Sequence, residues 1–299
     1  MELSSWELWI LITRWVLYIG MAASIGGACS LWLMQKHGVL KHQLLRYTLL
    51  AASIAIIFAG IHFLVRVGSA AEEGVAGMFD PDMIAFMWDS PLGQALALRA
   101  LGLLLFLLAV LFHALVKSRS LEEEIQLDLL EILIATVGIG MIAYSFTEAG
   151  HAAAQHVLFH LVLTVHILLT AWWMGSLYPL WLVCHRLSFN EAFIVLERFG
   201  QLAVSAVLIL FAGGLYMSYQ LTGWTGLLAN DYGQLLIIKV VLVVLILILA
   251  ALHKFVLVPK LMHVQDASKL KKSILVEKLV GSAIFAITTV LTTLVGPVH

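Results

Sequence analysis

Four of the twelve histidines in this chain fall within sixteen residues, in the stretch EAGHAAAQHVLFHLVLTVHILLTAWW from Glu148 to Trp173. His151 stands in a short polar connection, and His156, His160 and His166 run down an otherwise apolar segment. An imidazole in hydrocarbon has lost its water and needs a partner, so an intramembrane histidine is a functional-site hypothesis by default. A single one serves equally well as a helix-to-helix hydrogen bonder. Three on one segment, with His156 and His160 one turn apart on the same face, point instead to a bound metal or cofactor. At 100° and 1.5 Å per residue, His166 is rotated about 120° from His160 and lies about 9 Å deeper. The three cannot share one ion without a bend. The spacing therefore predicts an outer site that joins His160 to His62 of another segment, served by His156, with a separate role for His166 further in. His151 and the methionines Met78, Met83 and Met87 form a candidate capture shell, since thioethers suit soft ions. Greasy packing is the plainer account of the methionines.

Counting inward from the outer helix ends gathers the other intramembrane ionisable residues into one layer. It holds Arg14, His62, Arg99, His160 and Lys239, with Tyr144, Met141, Tyr216 and Met217 at similar depth. Snorkelling to the interface explains a cation near a helix end, and Arg66 is read that way. Arg14, Arg99 and Lys239 lie deeper and suggest an interior role. Three fixed positive charges raise the cost of binding a cation. Either carboxylates such as Glu148 or Asp231 pair with them, or the ligand is itself anionic. Towards the opposite side lie Cys29, His113, Cys184, His185, His253, Met262 and His263, read as ordinary buried cysteines and loop histidines, with a soft landing site for a cation as the alternative.

The elements that carry these residues are membrane-spanning helices. The chain is 62% hydrophobic and 12% charged, with a mean hydropathy of +1.01, far above the even mix of soluble domains. Eight apolar runs, at about 7–34, 43–67, 92–116, 127–147, 156–183, 193–221, 233–257 and 274–295, match the roughly 20 residues needed to cross a hydrocarbon core. Period-two alternation is absent, which excludes a barrel. Short connections predict an all-α polytopic membrane protein, an antiparallel bundle of eight transmembrane helices forming a single domain over residues 1–299. Glu2 and Glu7 occupy the place of a basic n-region, so the first run is read as retained. A net charge of -1 gives no sign of nucleic acid, and two distant cysteines give none of a disulfide framework.

Lysine and arginine fall almost wholly on alternate connections: Lys36, Lys41 and Arg46; Lys117 and Arg119; Arg186 and Arg198; Lys254, Lys260, Lys269, Lys271 and Lys272. The positive-inside rule then places both termini outside the cytoplasm, with Trp6, Trp9, Trp88 and Trp224 at the outer interface. Asp80-Pro81 has the chemistry of a helix start and predicts a short helix lying on the membrane, with Met83 and Met87 on one face. Gly26-Gly27 and Gly213-Gly214 predict close backbone approach between helices.

The segments HLVLTVHILLTAWWMGSLYPL (from His160), ERFGQLAVSAVLILFAGGLYMSYQL (from Glu197), DYGQLLIIKVVLVVLILILAALHKFVLVPKL (from Asp231) and VEKLVGSAIFAITTVLTTLVGP (from Val276) resemble the copper resistance protein D (CopD) family. The likeness is clearest over 193–297, where Arg198-Phe199, Tyr232-Gly233, Lys239 and Glu277 carry it; RWVLYIG in the first segment also fits. The resemblance implies a bacterial inner-membrane protein of copper homeostasis or tolerance, importing copper, as Cu(I) or Cu(II), from the periplasm and working with a separate copper-binding partner of the CopC type. It implies a transporter or metal-binding protein rather than an enzyme. No nucleotide-binding loop is present, so the membrane potential would drive transport. Two other readings stand beside it. One is a haem b redox protein, with His62 and His160 as axial ligands and Arg14, Arg99 and Lys239 meeting the propionates. The other is a membrane scaffold that responds to copper through its partner.

Overall fold

The computed structural model describes residues 3–117, 128–223, 227 and 230–295; Arg119 and Trp224 lie outside them. Ten α-helices and no strands occur among the described residues: α1 Ser5–Leu33, α2 Lys41–Ala71, α3 Pro81–Trp88, α4 Pro91–Phe112, α5 Leu129–Tyr144, α6 Val157–Arg186, α7 Phe189–Thr222, α8 Asp231–Leu252, α9 Val258–Val264 and α10 Ser268–Thr293. Seven segments are long and apolar enough to cross a membrane, and α5 is a shorter apolar helix. Its 16 residues span roughly 24 Å where the sequence predicted a full-length crossing. The eight predicted runs are thus seven long helices and one short one.

Local chemistry sets the boundaries. Ser4 caps α1 in a reciprocal box: its hydroxyl accepts from the Glu7 amide, and Glu7 accepts from the Ser4 amide at 2.8 Å. Asp80 accepts from the Met83 amide at 2.8 Å, and Pro81 opens α3, as the sequence predicted. Two π-helical turns, His113–Lys117 and His253–Leu257, follow α4 and α8. The second runs straight into α9, whose Pro259 has no amide proton to give the ladder.

Helix α1 sits at the centre and packs on α2, α6 and α10. It crosses α6 at Gly26 and Gly175, where a Cβ on Gly175 would stand 2.9 Å from the Gly26 Cα. Backbones meet directly there, because only hydrogens separate them. Tyr47 seals the crossing by donating to the Gly175 carbonyl at 2.8 Å. The second predicted glycine pair behaves differently. Gly213 lies against Val162, but Gly214 faces open space, since α7 presents that side to lipid instead of a neighbour.

The two halves of the chain repeat one plan. Residues 91–117 laid on 231–257 without a gap match Gly93, Gln94 and His113 to Gly233, Gln234 and His253, and set Arg99 on Lys239. GGACSLWL from Gly26 matches GSLYPLWL from Gly175, and RYTLLAAS from Arg46 matches RFGQLAVS from Arg198. The geometry follows the sequence. Each π-helical turn begins at the matched histidine, and Gly93 and Gly233 each leave room for a backbone carbonyl, that of Trp88 or Leu227. The packing is reciprocal as well: α1 contacts α10, the last helix of the second half, and α6 contacts α5, the last of the first.

Candidate functional site

Arg14, Arg99 and His62, which the sequence reading put in one layer, lie near one another. The Arg14 Nε donates to the Tyr18 hydroxyl at 2.7 Å, and its Nη1 donates to the Thr292 carbonyl at 3.1 Å and the Thr293 hydroxyl at 3.0 Å. A guanidinium therefore closes the C-terminal end of α10, where carbonyls lack helical partners. Arg99 reaches the end of α5 through a side chain: its Nε donates to Ser145 Oγ at 3.2 Å, while its guanidinium lies 4.9 Å from the Phe146 ring centre. Tyr18 and Phe146 pack with their ring centres 5.4 Å apart, tilted by 45°, between the two arginines. Snorkelling does not describe either residue.

His62 is buried on α2, with Nδ1 3.0 Å from the Thr13 hydroxyl. That hydroxyl is committed to the Trp9 carbonyl at 2.7 Å, so it accepts from Nδ1–H and leaves the lone pair on Nε2. Arg14, Arg66 and Arg99 all lie near enough to act on this ring electrostatically. Among the described residues no carboxylate lies in ion-pair range of Arg14, Arg66, Arg99 or Lys239. Glu148, one expected counter-ion, receives only the Thr147 hydroxyl at 3.5 Å. The layer keeps its positive sign.

The α6 histidines separate into different roles. His156 caps the helix: Nδ1 accepts from the Phe159 amide at 3.2 Å, and Nε2 meets the Tyr216 hydroxyl at 3.3 Å. The Nε2 of His160 donates to the Ala152 carbonyl at 2.9 Å, holding the preceding loop. His62 therefore turns towards α1 and His160 towards its own loop. His151 is exposed in a 3-10 turn. His166 is different: its Nδ1 is buried near Gly213 with no hydrogen bond of good geometry, the ring having only the Leu210 backbone as a polar neighbour and Lys239 within electrostatic reach. Met217 is half-buried on α7, whereas Tyr144 is exposed at the end of α5 and does not join the layer. Met78 packs against Gly68 beside Trp6, and Met83 and Met87 share the half-buried face of α3, which is the arrangement of greasy contacts. No group of three or more His, Cys, Asp or Glu side chains that could hold a metal occurs among the described residues.

In the inner half, His113 and His253, read from the sequence as ordinary loop histidines, each meet a buried glutamate. Glu277, 1% exposed in the middle of α10, accepts from Trp173 Nε1–H at 2.8 Å through Oε1. Its Oε2 lies 3.0 Å from His253 Nδ1, and His253 Nε2 lies 2.7 Å from the Ser273 hydroxyl. The first half carries a counterpart, His113 Nδ1 at 3.2 Å from Glu131 Oε2, both buried. Aligning the chain with itself would have related these two histidines, because both occupy the same place in the repeat. Their glutamate partners are 18 and 24 residues away on other helices, beyond the reach of local spacing.

Comparison with known proteins agrees with this architecture. The family profile described as copper resistance protein D-like, N-terminal domain, matches residues 5–161, and the profile copper resistance protein D matches residues 194–291. Among curated proteins, the inner membrane protein YebZ of Escherichia coli (strain K12) is 26% identical over 233 residues, which cover 76% of each chain. No solved structure matches.

Proposed function

Because the chain belongs to the copper resistance protein D family, we propose that it handles copper in the bacterial inner membrane, accepting the ion at the outer face and passing it towards the cytoplasm. The location is supported by seven membrane-length helices and by a relative named an inner membrane protein. The observation that carries inward transfer is His166. A buried imidazole nitrogen short of a well-formed hydrogen bond forfeits up to about 1–3 kcal/mol, and this one, with only the Leu210 backbone near its ring, lies ten residues into the thirty of α6. His151, His156 and His160 stand at or just before the outer end of this helix, while Trp173, midway along it, meets Glu277 of α10, which faces His253 after α8. Imidazole nitrogens at His156, His160 and His166 would then mark the outer part of the route. The membrane potential supplies the drive, about 2.3 kcal/mol per charge per 100 mV, and a separate CopC-like protein would deliver the ion from outside.

The test is copper accumulation in cells together with elemental analysis of purified protein. His166→Ala should leave bound copper largely intact and slow accumulation several-fold, whereas unchanged accumulation would refute the transfer route. A haem b protein is the second reading, favoured by the positive layer. His62 offers one axial nitrogen, and Arg14 and Arg99 suit the propionates, although His160 is held by the Ala152 carbonyl. An absorption spectrum of the purified protein separates the two, since only haem gives a Soret band.

A further inference from the structure

The duplication gives each half a buried histidine–glutamate pair, but the two glutamates do different work. Glu131 lies in the first turn of α5 and accepts from the Asp128 amide at 3.2 Å, completing a capping box. Glu277 stands ten residues into α10, where every backbone amide is already served by the helix. A carboxylate is not needed there to end a helix. It is also expensive, since a lone negative charge at this depth costs several kcal/mol.

The neighbours of Glu277 define where its charge is balanced. From α6 comes Trp173, whose indole can only donate, so Oε1 must remain an acceptor. From the π-helical turn comes His253, facing Oε2. From its own helix Ser273 meets the far nitrogen of that ring. The nearby cations look elsewhere: Lys254 lies 4.0 Å from Glu197, and Lys278 lies over the Tyr178 ring. Among the described residues His253 is the only basic group in ion-pair range of Glu277. The pair is therefore neutral only while it holds one shared proton, on Oε2 or on Nδ1. The Ser273 hydroxyl can donate or accept, so neither position loses a hydrogen bond.

We propose that Glu277 and His253 form a proton-carrying site that gives up its shared proton when a monovalent soft cation arrives, so that inward cation movement is exchanged for a proton. The balance is simple: the cation replaces the proton between a carboxylate oxygen and an imidazole nitrogen, and the pair stays neutral before and after. No redox partner is required. The exchange with a copper ion rests on the function proposed above, while the mobile proton does not. His113 and Glu131 are the copy retained for capping.

Two measurements on the full-length purified protein test this separately. In the metal-free protein, Trp173 reports on its carboxylate partner. The pH-dependent part of the emission that Trp173→Phe removes should also vanish in Glu277→Gln, which keeps an acceptor for the indole, and should persist in Glu131→Gln. A signal that survives Glu277→Gln would overturn the proton site whatever the protein transports. Copper(I) added without oxygen to weakly buffered protein should then release one proton fewer from Glu277→Gln than from wild type, because metal ligation displaces protons. Glu131→Gln should release the wild-type number. Equal release from wild type and Glu277→Gln would overturn the exchange. If wild type binds no copper(I), the proposed function fails while the fluorescence arm still reads. His253→Asn provides a second variant should Glu277→Gln fold poorly, with the same loss expected in both measurements.

Discussion

At the scale of single residues, the polar groups of this membrane bundle are mostly engaged in holding helix ends, and those with nothing to hold stand out. Arg14 joins the first helix to the last by two donated hydrogen bonds and is steadied by a third to Tyr18 of its own helix. Arg14→Ala should therefore lower stability by about 1–2 kcal/mol, read as a lower thermal midpoint in detergent, and Arg14→Lys should recover part of it. Glu277 offers a sharper contrast. Glu277→Leu strands the Trp173 indole and the His253 ring, costing about 1–3 kcal/mol for each unpaired group, whereas Glu277→Gln keeps a partner for both and should unfold close to wild type. Depth counting in the sequence grouped Arg14, Arg99 and His62, and the structure brings them near one another. It could not foresee that His156 would cap its own helix or that His160 would hold the preceding loop, since those roles depend on the path of the chain just before α6.

At the scale of elements, hydropathy made the helices legible and left the contacts between them hidden. A run of apolar residues has to become a helix because lipid offers its backbone no partner, which is why seven spans and the short α3 were readable from sequence. Which faces meet is another matter. Gly26 and Gly213 look alike in sequence, yet Gly26 touches the α6 backbone while Gly214, beside Gly213, touches nothing. Gly175→Val should therefore drive α1 and α6 apart and cost about 3 kcal/mol, abolishing well-folded protein on size exclusion. Gly214→Ala should lie within about 0.5 kcal/mol of wild type, as surface changes do, in the same assay. The π-helical turns were also invisible, because an extra residue in a turn leaves no compositional mark.

At the scale of the whole molecule, the orientation read from lysine and arginine makes a direct prediction. Cysteines placed at Asp82 and Gln155 should react with an impermeant thiol reagent applied outside, and one at Ser268 should not. The reverse pattern would exchange the outer and inner ends of every group described above. The duplication was within reach of the sequence, since RYTLLAAS and RFGQLAVS are plain once the chain is laid on itself. A reading made segment by segment did not bring distant segments side by side. Its consequence concerns the sense of travel. With the short α5 taken as a crossing, each half contributes four, so both copies enter and leave the bilayer on the same side, and neither is the upside-down image of the other. Transporters built from inverted repeats obtain an inward-facing and an outward-facing state by letting their halves trade conformations. That economy is closed to a chain whose halves point the same way. Any preference for one direction has to be written into the differences between the copies: an arginine against a lysine at the outer level, and a helix-capping glutamate against a free-standing one at the inner level.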